Sequence, residues 1–230
     1  MTIKTITIAS RESPLAIWQA EYIKSKINML YPDIKIKIKG FKTQGDNLLD
    51  QSLATIGGKG LFIKELEEAL LEKKADIAVH SMKDLPMDIP DEFQLIAITE
   101  RSDPRDAFVS NDFDSLAEMP KGSIVGTSSL RRQSQIKAKY PNLIIEPLRG
   151  NLQTRLNKLD KKQYGAIILA AAGLLRLGLK KRIKTYLGTE ISIPSAGQGA
   201  LGIEVLSGNE ELNKLLKALN DIDTSRCVLA

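Results

Sequence analysis

GSIVGTSSLRRQSQIK, residues 122–137, runs a short apolar segment straight into Gly-Thr-Ser-Ser and then into two adjacent arginines. Ser123-Ile124-Val125 reads as a buried strand. Thr127, Ser128 and Ser129 are candidate N-caps for the helix that follows. A helix N-terminus already presents free N–H groups and a partial positive charge, so Arg131 and Arg132 in the first turn oppose the helix dipole. Two readings stand at this point. An anion is held jointly by the helix end and the guanidinium groups, or the arginines are a solvated surface pair.

The strand-then-helix unit recurs along the chain. TITIAS reads as a strand and SPLAIWQAEYIKSKINML as a helix, with Ser13 as N-cap and Pro14 at the first helical position. IKIKIKGF alternates as a strand, GLFIKELEEALLEKK is an amphipathic helix, and ADIAVHS and FQLIAIT are strands. The rhythm restarts after RSDPRDAF with strand SIVG and helix SLRRQSQIKAKY. Strand LIIEPL, helix NLQTRLNKLDKK, strand GAIILAA, helical GLLRLGLKKRI and extended GALGIEVL complete it. Interleaved strands and helices predict an α/β fold with largely parallel sheets. Pro104 lies where the pattern restarts, which places a domain crossover near 100–105, and SIPSAGQGA fits a second crossover back.

Composition bounds the function. The 230 residues suffice for one large domain or two small ones, with 43% hydrophobic and 27% charged residues, ordinary values for a globular protein. No apolar run is long enough to span a bilayer. The N-terminal MTIKTITIAS alternates like a strand and lacks the pattern of a secretory signal, so a cytoplasmic location is expected. One Cys excludes an internal disulfide and a Cys-based zinc site. A net charge of +5 favours acidic partners mildly, while dispersed basic residues and 5% aromatics speak against nucleic acid.

The arginines fall in a pattern. Arg11 follows TITIAS, Arg131 and Arg132 follow SIVG, Arg149 ends LIIEPL, Arg155 lies early in the next helix, and Arg176 follows AIILAAAG. Ligands of open α/β sheets bind beyond the carboxyl ends of strands. Arginines gathered at those ends favour an anion site, because the planar guanidinium grips a carboxylate or phosphate with two bonds. Several of them imply a polyanion, or an anion that grows.

DIAVHSMKDLP puts Ser81, Lys83 and Asp84 just past another buried strand. Asp84 is either an ion-pair partner of Lys83 or a turn cap, or else a carboxylate facing a cationic intermediate. His80, the sole histidine, has no second His and no Cys partner for a triad or metal site, and packing is the better account of it. In TIGGKGLF, Gly57, Gly58 and Gly60 flank Lys59, which either reaches an anion from a mobile segment or is a solvated loop lysine. The segment is not a P-loop, since Gly-Lys-Ser/Thr is missing. Gly197, Gly199 and Gly202 match the dinucleotide pattern literally, but IEVLSG after them is too short and strand-like for the required helix. They read instead as hinge and close-packing glycines.

ASRESPLAIWQA, GGKGLFIKELE, DIAVHSMKDLP, DPRDAFVS, GTSSLRRQ, LRGNLQTRL, AIILAAAGLLRLG and PSAGQGALGIE follow one another over essentially the whole chain. In this order and spacing they resemble the porphobilinogen deaminase (hydroxymethylbilane synthase) family of tetrapyrrole biosynthesis. The resemblance implies two periplasmic-binding-protein-like α/β domains with mostly parallel mixed sheets, a cleft between them, and a small third α+β domain. Domain 1 would comprise 1–100 plus 198–218 and domain 2 would comprise 101–197, with 219–230 beginning domain 3. The implied reaction condenses four porphobilinogen molecules stepwise into hydroxymethylbilane with release of ammonia, primed by a dipyrromethane cofactor. Both substrate and cofactor carry carboxylates, which is what the arginines would hold. By the same resemblance Ser81, Lys83, Thr127, Ser129, Arg131, Arg132 and Arg155 line the cofactor site. Arg11, Ser13, Gln19, Lys59, Arg149 and Arg176 line the site of the substrate and growing polypyrrole chain. Asp84 would be the catalytic acid, assisting loss of ammonia and then facing the azafulvenium cation, an oxyanion hole with its sign reversed. No metal, nucleic acid or membrane enters, and a monomer is expected.

The family anchors its cofactor on a cysteine in a Gly-Gly-Cys setting within the third domain. Cys227, in DIDTSRCVLA, lacks that setting and reads as a helix residue. The expectation is a chain that holds the first two domains without the anchor and is inactive by itself. The alternative is a non-catalytic two-domain α/β protein that binds a small polycarboxylate, which leaves Asp84 among the arginines unexplained. A phosphate- or nucleic-acid-binding protein is disfavoured by the shortage of aromatics.

Overall fold

In the computed structural model, residues 3–47, 60–86 and 88–230 are described. They fall into two units, Met1–Arg101 with Ala200–Ala230, and Ser102–Gly199. Lys59, Gly57 and Gly58 lie outside the described residues.

The first unit opens with β1 (Thr5–Arg11), α1 (Pro14–Leu30) and β2 (Lys35–Phe41). Ser13 caps α1, its Oγ accepting from the Ala16 N–H at 3.3 Å, and Pro14 occupies the first turn where no N–H is needed. β2 is an edge strand, and its alternation turns Ile36 inward while Lys35, Lys37 and Lys39 face water, which discourages pairing with another chain. Then come α2 (Gln44–Asn47), α3 (Lys64–Leu71), β3 (Ile77–Ser81), a short 3₁₀ turn (Met82–Asp84) and β4 (Phe93–Ile98).

The second unit contains β5 (Asp106–Val109), β6 (Ile124–Gly126), α4 (Leu130–Lys139), β7 (Ile144–Glu146) and α5 (Leu152–Asp160). It continues with β8 (Ala166–Ala170), α6 (Ala171–Arg176), a 3₁₀ turn (Lys180–Arg182) and β9 (Thr185–Leu187). β10 (Leu201–Leu206), α7 (Glu210–Lys217) and α8 (Ile222–Leu229) belong to the first unit again. The stretch 219–230, which the sequence reading sets apart, packs there: the Asp221 N–H bonds the Ile98 carbonyl at 2.8 Å and the Arg101 N–H bonds Thr224 Oγ1 at 3.1 Å.

Both units use one plan. The first sheet has the order β2-β1-β3-β10-β4 and the second β7-β6-β8-β5-β9. The first three strands pair in parallel, and the fourth is antiparallel to both neighbours. Four strands of each five therefore run one way. The reversed strand, β5 or β10, is in each case the first after the chain enters that unit.

Helices cover both faces of each sheet. Ile6, Ile8, Ile77 and Ile203 pack with Ile23 and Ile27 of α1 and with Leu212 and Leu216 of α7. Ala9, Ala78 and Phe93 pack with Leu66 and Leu70 of α3 on the other face. In the second unit Phe108, Val125 and Ile168 meet Ile136 of α4, while Val109 and Ile167 meet Leu156 and Leu159 of α5. Gly202 sits inside β10, where an added Cβ would come within 2.5 Å of the Met82 sulfur. The glycine-rich run thus leads into a strand and serves close packing.

Candidate functional site

Strand direction decides what gathers at the sheet ends. β5 runs against its neighbours, so its first residue, Asp106, lies opposite Ala170, the last residue of β8. α4 begins just beyond β6, whose Gly126 pairs with Ile167 of β8. The arginines in the first turn of α4 therefore meet Asp106, whose side chain is fully buried.

Oδ1 of Asp106 accepts from Arg132 Nε at 3.0 Å, Arg132 Nη2 at 2.7 Å and Gln198 Nε2 at 2.9 Å. Oδ2 accepts from Arg131 Nη2 and Ser192 Oγ, both at 2.8 Å. Burial by itself would raise the Asp106 pKa. The charge of Arg132 and hydrogen bonds from Arg132, Gln198 and Ser192 outweigh it and hold the carboxyl below its usual range.

Arg131 and Arg132 are thus not a solvated pair: both hold the carboxylate of Asp106. Arg132 also donates to the Ile168 carbonyl and to Gln198 Oε1, and its side chain is 8% exposed. Arg131 donates through Nη1 to Ser192 Oγ and the Ile193 carbonyl and keeps 26% exposure. Of the three cap candidates, Ser129 caps α4, its Oγ accepting from the Arg132 N–H. Thr127 is buried, and its Oγ1 accepts from the Ser129 N–H at 3.2 Å.

The other second-unit residues lie nearby in sequence order. Arg149 and Arg155 are half-buried around the start of α5, where Asn151 is the cap. Arg155 Nε donates to the Gly150 carbonyl at 2.8 Å, and the Arg149 carbonyl accepts from Lys158 Nζ. Arg176, in the last turn of α6, donates to the Gly199 carbonyl at 2.7 Å.

In the first unit, Arg11 ends β1 and its guanidinium lies over the Phe62 ring, 4.2 Å from the centroid. Ser13 is used as the α1 cap. Gln19, one and a half turns on, is buried and donates to Ser81 Oγ at 2.8 Å, which ties α1 to the end of β3. Lys83 and Asp84 are both exposed in the 3₁₀ turn after β3. Asp84 makes no hydrogen bond or ion pair among the described residues, so it is neither a Lys83 partner nor a turn cap there. His80 is buried, as its strand position predicts, with Nε2 2.9 Å from Glu204 Oε2.

Sequence reasoning missed Asp106, Ser192, Gln198 and Phe62. A signal existed for Asp106: a charged residue heads the apolar run DAFV, all of it buried. Ser192 and Gln198 carry no such mark, being polar residues in a Gly/Pro-rich stretch. No cluster of metal-ligating side chains occurs among the described residues. No helix there is long and apolar enough to cross a membrane.

Comparison with known proteins bears on both fold and family. The methionine binding protein MetQ superposes with a TM-score of 0.55 at 16% identity, covering 97% of this chain and 93% of that one. An ABC transporter periplasmic substrate-binding protein from Coxiella burnetii gives 0.57 at 11%, covering 96% and 94%. These establish the periplasmic-binding-protein-like fold. In sequence, the porphobilinogen deaminase of Methylobacillus flagellatus is 61% identical over 227 residues, 99% of this chain and 73% of that protein. That of Laribacter hongkongensis is 59% identical over 228 residues, 99% and 74%. That of Neisseria meningitidis serogroup B is 57% identical over 230 residues, 100% and 74%. Residues 6–214 match the family described as porphobilinogen deaminase, dipyromethane cofactor binding domain. With cationic side chains at the strand ends of both units and identity above half across nearly its whole length, the chain belongs to the porphobilinogen deaminase family.

Proposed function

We propose that this protein condenses porphobilinogen units into hydroxymethylbilane, releasing one ammonia at each step. Family membership carries the reading, and the exposed, unengaged Asp84 beyond β3 supplies a group for its chemistry. In each step the carbon–nitrogen bond of the aminomethyl group breaks and ammonia leaves with the electron pair. A cation remains on the pyrrole. Asp84 protonates the departing amine where needed, then lies as a carboxylate against that cation and its N–H. Formation of the new carbon–carbon bond expels a proton from the attacked pyrrole carbon, which Asp84 accepts; after four additions water releases the product and supplies its hydroxyl.

The donor set suits a polycarboxylate. Arginine, lysine and serine side chains stand at strand ends, and Arg131 keeps exposure beside the N-terminus of α4. Ser81, Lys83, Thr127, Ser129, Arg131, Arg132 and Arg155 are assigned to dipyrromethane, which when bound supplies the first nucleophilic pyrrole carbon. Arg11, Ser13, Gln19, Lys59, Arg149 and Arg176 are assigned to the carboxylates of the substrate and growing chain. Of these, Ser13 contributes mainly by capping α1, and Gln19 by holding Ser81.

A cytoplasmic monomer is the state we infer. The free, exposed Cys227 suits a reducing compartment, and the apolar sheet faces are covered by helices of their own unit. Incubating the protein at the full length of its relatives with porphobilinogen tests the function: ammonia and hydroxymethylbilane should appear together. Saturable binding without ammonia at that full length would instead favour the polycarboxylate-binding alternative.

A further inference from the structure

We propose that Asp106 is a positioning residue for ligand binding, fixing the guanidinium groups of Arg131 and Arg132 so that Arg131 meets an anionic ligand in one set orientation. The inference rests on the reading that Arg131 contacts the anionic ligand.

Three observations carry it. First, Asp106 is fully buried, and both its oxygens are filled by donors: three on Oδ1 and two on Oδ2. A carboxylate so held cannot turn outward, so its two arginines are registered against a rigid point. Second, the two arginines differ. Arg132 uses Nε once, Nη1 once and Nη2 twice, and is nearly buried. Arg131 uses Nη1 twice and Nη2 once, so two of the five donors of a guanidinium remain, on a side chain that is 26% exposed. Arg131 is thus braced from behind and still able to bond forward. Third, Ser192 Oγ touches both members of the brace, donating to Asp106 and accepting from Arg131.

Charge alone would act the other way. Asp106 offsets one of two positive charges, so a purely electrostatic site would bind an anion more tightly without it. A positioning role predicts weaker binding, because a loose guanidinium must be ordered by the ligand itself.

The test titrates a dipyrromethane bearing acetate and propionate groups, the ligand assigned to Arg131, into ¹⁵N-labelled protein and follows the arginine Nε–H resonances, with melting temperature as the folding control. In the wild type the Arg131 guanidinium should rotate slowly, and its resonance should shift on titration. Asp106→Asn, if folded, should show fast rotation at Arg131 and weaken binding by at least about tenfold, the weight of one charge-assisted hydrogen bond. Arg131→Gln should weaken binding similarly, and the double variant no further, since both act through one group. Asp106→Glu should recover part of the affinity. If Asp106→Asn does not fold, Ser192→Ala removes one brace contact and should loosen Arg131 and weaken binding in the same sense. Unchanged or tighter binding in the folded Asp106→Asn or Ser192→Ala protein, with Arg131→Gln still impaired, would overturn the positioning role alone. Unimpaired binding in Arg131→Gln would overturn the placement of Arg131 at the ligand as well.

Discussion

His80 Nε2 and Glu204 Oε2 lie 2.9 Å apart across β3 and β10, with both side chains buried and Glu204 Oε1 without a hydrogen-bond partner among the described residues. His80→Leu should leave the buried Glu204 side chain without its partner and cost about 1–3 kcal/mol, whereas His80→Leu/Glu204→Leu should recover much of it. Urea denaturation of the wild type and both variants checks this. A double variant no more stable than His80→Leu would show that the unpartnered Glu204 is not the source of the loss.

Glu67 of α3 borders this pair, and burial together with the charge of Glu204 raises its pKa, while His80 acts in the opposite sense. The folded state therefore keeps a proton on Glu67 that the unfolded chain releases at lower pH. Its stabilising contribution is full below the unfolded pKa and is lost as pH rises through the folded one. Glu67→Gln stays neutral throughout, so its melting temperature should gain on the wild type as pH rises through that interval. A constant difference from acid to neutral pH would show that Glu67 does not titrate in this way.

Asp106 has the opposite sign. Its carboxyl is held low, so its contribution is present above the unfolded pKa and is lost as pH falls through the folded one. The acid-side drop in melting temperature should be shallower in Asp106→Asn, starting from a lower plateau. Parallel acid limbs would show that other carboxylates govern acid unfolding.

Asp84 is exposed and unpaired among the described residues, so Asp84→Asn should change stability by no more than about 0.5 kcal/mol. In the protein at the full length of its relatives, turnover of porphobilinogen should fall by about 10²–10⁴-fold, since Asn can neither carry a proton nor balance a cation. Single-turnover rates and melting temperatures on the same preparations separate the two effects. A near-wild-type rate would remove Asp84 from the chemistry.

Gly45 touches the Phe62 ring so closely that an added Cβ would lie 2.2 Å from Cε1. Gly45→Ala must displace the ring that carries the Arg11 guanidinium, at an overpacking cost of about 1–3 kcal/mol. The first unit should melt earlier and the affinity for porphobilinogen should fall. An unaltered melting curve would mean that the ring moves aside freely.

The sequence by itself determined what is local. Alternation and helical period located the strands and helices around which both units are built, and side chains adjacent to the helix starts determined the caps Ser13 and Ser129. The arginines at strand ends were legible because position in the chain fixes which residue follows a strand. Lys59 falls outside the described residues, and Asp84 was legible as a residue past a strand end. What Arg131 and Arg132 grip was not legible: Asp106 is 25 and 26 residues away. Nor was the partner of His80, 124 residues distant. Both pairings depend on β5 and β10 running against their neighbours. A two-residue alternation reads the same in either direction, so strand polarity is absent from the pattern. Only sheet assembly sets it, and with it the burial of Asp106 against two arginines and of Glu204 against His80.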